Sequence, residues 1–341
     1  MAHVRQSRVD RRDFLKIMSV AAGSFPLIGS WSNVSAGSPG KGKVARIAFA
    51  HAPGGPSDKA AHEFAKWMLE KTGGELTVQV FAGGQLGGEK DMAEALQMGS
   101  VEITPFGSYA VTAITPEWGL VLDTPYVMRN NDHFRKVVDG PLCKPMYEAM
   151  LKRKGIRHIC WSNRGPRYLT TNKPVKEPAD LKGIKIRVPE YESYVAAWKM
   201  LGATVTPMAF PEVFLALKQG TIDAMEAPLE ILYTSSFFEV QKYLNLTSHI
   251  VTGYQVAVSE KWYQSLSPAL RKTVSEGLVE MGKLQDKLQA QAEAEFERKL
   301  KEKGMIFNPV DIAKFQTALR ELPRNSPKWK PGFYEEIQKV K

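Results

Sequence analysis

The order of apolar and polar positions predicts alternating strands and helices in the first half of the chain. The predicted elements are a strand at 44–50, a helix from Ser57 to Gly73, a strand at 76–81, a helix at 89–98 and a strand at 101–104. In the first helix the apolar residues recur at spacings of three and four, Ser57 is the expected N-cap, and two glycines end the pattern. This alternation is typical of an α/β domain with a largely parallel sheet.

A second block repeats the alternation after a loop-rich and helical middle segment. Its predicted strands are at 155–161, 167–172, 184–188, 204–206 and 221–225, and its predicted helices are at 191–201 and 211–219. The two blocks meet near residue 165. A chain of 341 residues is long enough for two domains, so we expect an α/β fold in two parts.

The last conspicuous element extends from Ser267 to about Lys303. It is rich in Leu, Ala, Glu, Lys and Gln, and after Pro268 in its first turn only two glycines interrupt it. As one helix it would be roughly 50 Å long, enough to run across both domains. The alternative is two shorter helices that break near Gly282.

The N-terminus has the pattern of an export signal. An arginine pair lies at residues 11 and 12, and an uncharged stretch extends from Ile17 to Ala36, where it ends in small residues. This order predicts a twin-arginine signal peptide at residues 1–36 and a periplasmic mature protein. A retained membrane anchor is the weaker alternative, because glycine and proline interrupt an apolar stretch that is short for a bilayer.

Charge and cysteine content limit the class of protein. Removing residues 1–36 takes away five basic and two acidic side chains, which lowers the formal net charge from +10 to about +7. This excess favours anionic ligands, whereas nucleic acid is a poor candidate because no nucleic-acid-binding motif accompanies the scattered basic residues. Cys143 and Cys160 are too few for a disulfide scaffold or a zinc finger. They either pair in an oxidising compartment or remain buried thiols.

Motifs for catalysis and cofactor binding are missing from the sequence. The histidines are scattered, and there is no HExxH, no zinc-type Cys/His spacing, no GxSxG and no CxxCH. The glycine-rich segment Gly83–Gly88 has neither GxGxxG spacing nor a following Lys-Ser/Thr pair, so a tight turn is the favoured interpretation. An anion at the N-terminus of the next helix stays an alternative. We expect no cofactor, no metal and no enzymatic activity.

Arg187 is the most informative charged residue. It lies in the predicted strand at 184–188, which Pro189 ends, so it is expected near the carboxyl edge of the sheet. Open α/β sheets bind ligands at this edge. A guanidinium held by a strand can present two donors to a carboxylate. The alternative is a structural ion pair with Glu190, Glu192 or Glu226. Arg167 stands twenty residues earlier, at the start of another predicted strand.

Several long motifs in the same order resemble one known family. They are Gln85–Glu89, Arg167–Pro174, Pro178–Pro189, Leu201–Thr204, Phe210–Leu217 and Phe238–Leu244. With these segments the chain resembles the substrate-binding proteins of tripartite ATP-independent periplasmic (TRAP) transporters, of the C4-dicarboxylate-binding type. The resemblance spans most of the mature chain.

The resemblance implies a two-lobed, periplasmic-binding-protein-like fold with the long C-terminal helix bridging the lobes. Residues 37–164 with about 253–292 would form the first lobe, and residues 165–252 with about 293–341 the second. The protein would be a monomer that captures an organic acid by hinge closure. It would deliver this small-molecule carboxylate to a small and a large membrane permease subunit.

The resemblance also implies a set of binding residues. Arg187 would be the principal partner of the ligand carboxylate, Arg167 a second polar contact, and Phe210 a packing surface. The remaining implied site residues are His51, Ser108, Tyr109, Trp161, Asn163 and Ala227.

Two departures from the family pattern bear on the ligand. Ala227 stands where many relatives have asparagine in a Glu-Asn-Pro motif, and Gly107 stands at a position that is acidic in sialic acid binders. Both remove polar partners, while Phe106 and Phe210 remain nearby and Tyr109 and Trp161 would add aromatic walls. We therefore hypothesise a monocarboxylate with an apolar or aromatic body rather than sialic acid. The alternative is that Tyr109 and Trp161 belong to the core.

Two other functions stay open at this point. Twin-arginine export also carries folded enzymes, so a periplasmic enzyme is one alternative. A binding protein that presents its ligand to a membrane sensor is the other.

Overall fold

A nine-stranded mixed sheet runs through residues 42–324 and 328–341, the residues that the computed structural model describes. The strands are β1 (Lys43–Ala48), β2 (Leu76–Phe81), β3 (Ile103–Phe106), β4 (Ile156–Thr171), β5 (Lys185–Val188), β6 (Thr204–Pro207), β7 (Ala224–Ala227), β8 (Tyr243–Ser259) and β9 (Ile306–Asn308). Their order is β2-β1-β3-β8-β4-β7-β5-β6, and β9 pairs with β8. The predicted signal peptide lies outside the described residues.

Helices connect the strands and complete an α/β architecture, which confirms the predicted class. The α-helices are α1 (Pro56–Thr72), α2 (Glu89–Met98), α3 (Tyr109–Ile114), α4 (Pro116–Leu122), α5 (Asn131–Val138), α6 (Lys144–Lys154), α7 (Glu192–Met200), α8 (Val213–Lys218), α9 (Leu229–Thr234), α10 (Glu260–Ser265), α11 (Pro268–Glu302), α12 (Ile312–Leu319) and α13 (Phe333–Lys339). Short 3-10 helices lie at Pro141–Cys143, Pro178–Leu181, Phe210–Glu212, Phe237–Glu239 and Leu322–Arg324.

The first helix begins one residue earlier than its predicted cap. Gly55 is the N-cap of α1, and Pro56 is the first helical residue, so the prediction of Ser57 as the cap is wrong. Proline suits this position because its missing N–H would have no helical partner. The predicted end is correct: Gly73 adopts a left-handed conformation and its N–H caps the helix.

The two longest strands, β4 and β8, form the middle of the sheet and pair antiparallel along their length. Separate strands at 155–161 and 167–172 were expected, but β4 is continuous across the polar residues between them. The pairing register shifts between Asn163 and Pro166, and Gly165 at this point has φ +81°, which glycine adopts without strain. This bulge and its polar residues interrupt the hydrophobic alternation that the prediction used.

Helix α11 is continuous over 35 residues, so the alternative of two helices that break near Gly282 is wrong. Its first half packs Leu270, Val274 and Leu278 with β1, β3 and α1, and its second half packs Phe296 and Leu300 in a separate apolar cluster with α8 and α9. A Cβ at Gly277 would lie 2.5 Å from the Trp67 ring. The glycine therefore serves close helix packing and does not break the helix.

The described part of the chain bears on three further expectations. None of its helices is long and apolar enough to cross a membrane. Cys143 and Cys160 are free thiols rather than a disulfide. No cluster of three or more metal-ligating side chains occurs among these residues.

Candidate functional site

One cavity collects most of the predicted binding residues. It lies at the carboxyl ends of the parallel strands β5, β6 and β7, opposite the segment that follows β1 and the start of α2. Its lining residues are His51, Glu89, Lys90, Arg164, Arg167, Arg187, Pro189, Glu190, Tyr191, Met208, Ala209, Phe210, Ala227 and Ile231. This edge is where open α/β sheets usually bind ligands.

Arg187 is buried in the cavity wall, with 3% of its surface exposed. Its Nε and Nη2 donate to the backbone carbonyl of Met208 at 2.9 and 2.7 Å, which fixes the plane of the guanidinium. No described carboxylate lies within 4.0 Å of it, so the structural ion pair considered from the sequence is not formed. Burial lowers the pKa of Arg187 to about 10, with Glu226 opposing the effect, and the group remains a cation at neutral pH.

Arg167, in contrast, is part of a buried ion pair. Its Nη2 donates to Glu226 Oε1 at 2.7 Å and to the Glu226 carbonyl at 2.9 Å, and its Nε donates to the other carboxylate oxygen. His249 Nε2 lies 3.1 Å from that second oxygen. Burial opposes ionisation of Glu226, but Arg167 and His249 outweigh it and hold the pKa of Glu226 at about 2. The charge of Arg167 is therefore neutralised within the protein.

Arg164 is a lining residue that the sequence reasoning missed. It lies three positions before Arg167 in β4, and in a regular strand an odd spacing places two side chains on opposite faces. The register shift between Asn163 and Pro166 breaks this alternation, and both arginines reach the cavity. The sequence did contain a pattern that could have indicated Arg164: an arginine between asparagine and glycine, in the gap between the predicted strands at 155–161 and 167–172.

His51 contacts Arg164 from the other side of the cavity. Its Nε2 lies 2.7 Å from Arg164 Nη2, and its ring lies 5.4 Å from Phe210 and 5.1 Å from Tyr254, centroid to centroid. Burial, followed by the charges of the surrounding arginines, lowers the pKa of His51 well below its usual range. The imidazole is therefore neutral, and its Nε2 accepts the hydrogen bond from Arg164.

Glu89 and Tyr191 close the rim of the cavity. The N–H of Gly107 donates to Glu89 Oε1 at 2.8 Å, and the Tyr191 hydroxyl donates to Glu89 Oε2. Glu89 is the first residue of α2, where its carboxylate also suits the helix dipole. The hydrogen bond between Tyr191 and Glu89 joins the loop after β5 to the end of the glycine-rich segment.

The apolar wall is formed by Phe210 and its neighbours. Phe210 begins the 3-10 helix after β6, its ring centroid lies 5.9 Å from Phe237, and the Arg187 guanidinium lies 5.9 Å from its ring. Ala227, at the end of β7, adds a small side chain where an asparagine would project an amide. One side of the cavity is therefore cationic and the other apolar.

The remaining predicted residues do not line the cavity. Trp161 is buried in the core, where its indole N–H donates to the Tyr147 hydroxyl at 2.7 Å. The Asn163 N–H donates to Asp286 of helix α11. Ser108 donates to Asp123 Oδ1 at 2.6 Å. Tyr109 begins α3, and its side chain lies outside the described part of the structure.

Two fully buried carboxyl groups lie close to these residues. Burial raises the pKa of Asp123 to about 7 against the opposing hydrogen bond from Ser108. Burial likewise raises the pKa of Glu230 to about 7, with Arg164 opposing. Glu230, in the first turn of α9, lies next to Gly55 at the N-terminus of α1.

The arrangement suits the binding of an anion. Two buried guanidiniums, Arg187 and Arg164, have no carboxylate partner among the described residues, and a third is neutralised by Glu226. A buried cation without a partner is costly, so an anionic ligand that reaches it gains the interaction that the protein does not supply.

Comparisons with known proteins identify the family of the chain. Residues 47–328 match the family described as bacterial extracellular solute-binding protein, family 7. The 2,3-diketo-L-gulonate-binding periplasmic protein YiaO of Escherichia coli is 34% identical over 262 residues, which cover 76% of this chain and 79% of YiaO.

Two solved structures are similar over nearly their whole length. A TRAP periplasmic solute-binding protein from Roseobacter denitrificans with bound L-galactonate has a TM-score of 0.83 at 30% identity, covering 87% of this chain and 98% of that chain. Another, from Ochrobacterium anthropi with bound L-fuconate, has a TM-score of 0.82 at 32% identity, with the same coverage of 87% and 98%.

Proposed function

The chain belongs to family 7 of the bacterial extracellular solute-binding proteins, and from this premise we propose that it is the solute-binding component of a TRAP transporter for an organic acid. The observation that carries the proposal is the buried guanidinium of Arg187, which is fixed by a backbone carbonyl and has no carboxylate partner among the described residues. It offers its charge to a ligand carboxylate. No covalent step is part of this function.

The ligand class follows from the cavity walls and from the relatives. YiaO is named for a keto acid, and the two structural neighbours hold L-galactonate and L-fuconate. Each of these ligands is a monocarboxylate, and Arg187, beside Phe210, is the guanidinium we propose for that carboxylate. Of the four aromatic residues behind the hypothesis of an apolar or aromatic ligand body, Phe210 lines the cavity, whereas Trp161 lies in the core. We propose a monocarboxylate as the ligand.

Ligand entry requires the walls to separate. The cavity has a volume of about 40 Å³, room for a few water molecules and much less than the pockets that enclose small molecules. We propose that two lobes, residues 37–164 with about 253–292 and residues 165–252 with about 293–341, open and close around it. The register shift in β4 between Asn163 and Pro166 lies at this boundary and is our candidate hinge.

The C-terminal helix α13 contacts the first lobe across the proposed boundary between the lobes. Arg129 in the first segment donates to the Gln338 carbonyl at 3.3 Å, and Gln338 Nε2 donates to the Val127 carbonyl at 2.9 Å. Helix α13 therefore packs on the first lobe, although its sequence position assigns it to the second. We propose that it moves with the first lobe during closure.

The cell compartment and the partners extend the proposal. We propose export by the twin-arginine route, a periplasmic monomer, and delivery of the acid to a small and a large membrane permease subunit. Cell fractionation tests the route, because a variant with Arg11→Lys and Arg12→Lys should stay in the cytoplasm.

Thermal melting of ligand-stripped protein against a panel of carboxylates tests the proposed function. An acid at a hundred times its Kd should stabilise the fold by about 2.7 kcal/mol. Arg187→Met should abolish the shift, whereas the matched variant Arg320→Met, at an exposed arginine, should retain it. Equal shifts in both variants would contradict the assignment of Arg187.

A further inference from the structure

We propose that Arg164, positioned by His51, forms a second polar pole of the cavity that hydrogen-bonds hydroxyl groups on the ligand and so selects hydroxylated monocarboxylates. This inference rests on the proposed function and adds the chemistry of the ligand body. The first pole, Arg187, takes the carboxylate.

The partners of Arg164 are neutral. Its guanidinium carbon lies 4.5 Å from the centroid of the Tyr254 ring, and its Nη2 donates to His51. Its Nε is buried and has no hydrogen-bond partner among the described residues. The side chain as a whole is 6% exposed. A buried guanidinium with an unused donor is a site for an acceptor that the protein does not provide.

His51 holds Arg164 in place without neutralising it. The imidazole is neutral because burial and the nearby arginines lower its pKa well below the usual range. It therefore accepts one hydrogen bond but contributes no negative charge. Its Nδ1 is also buried and has no partner among the described residues, which leaves a further unused donor on the imidazole ring.

The charge balance favours a ligand with one negative charge. Three guanidiniums line the cavity, at Arg164, Arg167 and Arg187. Two carboxylates balance them: Glu89, which is in the lining, and Glu226, which forms an ion pair with Arg167. The excess of one positive charge is met by a single carboxylate. A second ligand carboxylate would bring a surplus negative charge into a buried site, which is unfavourable. Arg164 is therefore matched by neutral oxygens, whose hydrogen bonds to a cation are stronger than those between neutral groups.

The outer residues do not change this balance. Lys90 and Glu190 lie at the exposed edge and carry opposite charges. Burial raises the pKa of each of the two buried acids nearby, Asp123 and Glu230, to about 7, so below that pH both are mostly neutral and the excess of one positive charge remains.

Gly107 leaves the approach to Arg164 free. A Cβ at this position would lie 3.1 Å from Arg164 Nη1 and 2.8 Å from Glu89 Oε1. Any side chain there would press on both groups. A glycine at this position therefore avoids crowding of the Arg164 guanidinium.

Isothermal titration with three six-carbon acids tests the inference. L-galactonate carries one carboxylate and five hydroxyls, hexanoate carries one carboxylate alone, and galactarate carries a carboxylate at each end. The wild-type protein should bind L-galactonate at least tenfold more tightly than either of the others. In Arg164→Met the affinity for L-galactonate should fall about 10- to 100-fold, while that for hexanoate changes less than threefold.

The controls separate this inference from the proposed function. Arg187→Met should lose all three acids, and Arg320→Met should lose none. If Arg164→Met fails to fold, Arg164→Lys is the second variant, because lysine keeps the charge but lacks the planar guanidinium with its several N–H donors. Its affinity for L-galactonate should fall, while its affinity for hexanoate should not. Tighter binding of galactarate than of L-galactonate, or equal losses for L-galactonate and hexanoate in the Arg164 variant, would overturn the inference while the proposed function stands. Loss of binding to every carboxylate in the wild-type protein would reject both.

Discussion

The two arginines Arg187 and Arg167 should have opposite effects on stability when each is replaced by methionine in ligand-stripped protein. Both are buried, and methionine fills a similar volume without charge. Arg187 has no carboxylate partner among the described residues, whereas Arg167 is paired with Glu226. The first substitution therefore removes an uncompensated charge, and the second creates one.

The magnitudes follow from the contacts. Burial lowers the pKa of Arg187 from 12.5 to about 10, which corresponds to roughly 3 kcal/mol of unfavourable free energy for the charged form. Arg187→Met recovers this amount but leaves the Met208 carbonyl without its donor, at a cost of about 1 kcal/mol. The variant should be more stable by about 2 kcal/mol. Arg167→Met leaves Glu226 buried with only His249, and should be less stable by about 3–5 kcal/mol.

Urea denaturation followed by circular dichroism measures both changes, with Arg320→Met as the exposed control. The midpoint should move to higher urea for Arg187→Met and to lower urea for Arg167→Met, with the slope unchanged. Equal destabilisation of the two variants would refute the idea that Arg187 is held unpaired for a ligand. The stabilised variant should also be the one that no longer binds acids, since functional sites commonly sacrifice stability.

Three further predictions address pH, packing and the core. Burial raises the pKa of Glu230 from 4.5 to about 7, so the folded state binds the proton more tightly than the unfolded state. The contribution of this group to the free energy of unfolding should be greatest below pH 4.5 and fall by on the order of 3 kcal/mol as the pH rises to about 7. Glu230→Gln should remove this decrease in unfolding measured from pH 5 to 8. Gly277→Ala should lower stability by about 1–3 kcal/mol in urea unfolding although alanine favours helices, because its Cβ would lie 2.5 Å from Trp67; no change would mean that the contact relaxes. Trp161→Phe should lower the melting temperature through loss of the bond to Tyr147 but leave acid affinity unchanged, and a large loss of affinity would place Trp161 at the site after all.

The ion pair between Arg167 and Glu226 and the guanidinium of Arg187 have different roles in the site. Glu226 neutralises Arg167 and is itself held by His249, whose Nδ1 accepts from Thr247. This network fixes the wall next to Arg187 at a single geometry. The ligand then meets a positioned cation instead of having to order it, which reduces the cost of binding.

The amino-acid sequence was sufficient to predict the α/β class, the bounds of α2, a long helical segment at the position of α11, and the family motifs around Arg167 and Arg187. These follow from local rules, since hydrophobic periodicity, glycine stops and strand composition act over a few residues. It also grouped Arg187, Phe210, His51 and Ala227 as binding residues, because the resemblance to the family implies them as one set.

Which charges are neutralised depends on contacts between distant parts of the chain. The pairing of Arg167 with Glu226 joins residues 59 positions apart on neighbouring strands, and the contact between Arg164 and His51 joins residues 113 apart. The bulge in β4 that turns Arg164 into the cavity depends on its pairing with β8, and the place of Trp161 depends on Phe134 and Tyr147. Periodicity describes one segment at a time, whereas charge balance and burial depend on distant segments that meet only in the folded chain.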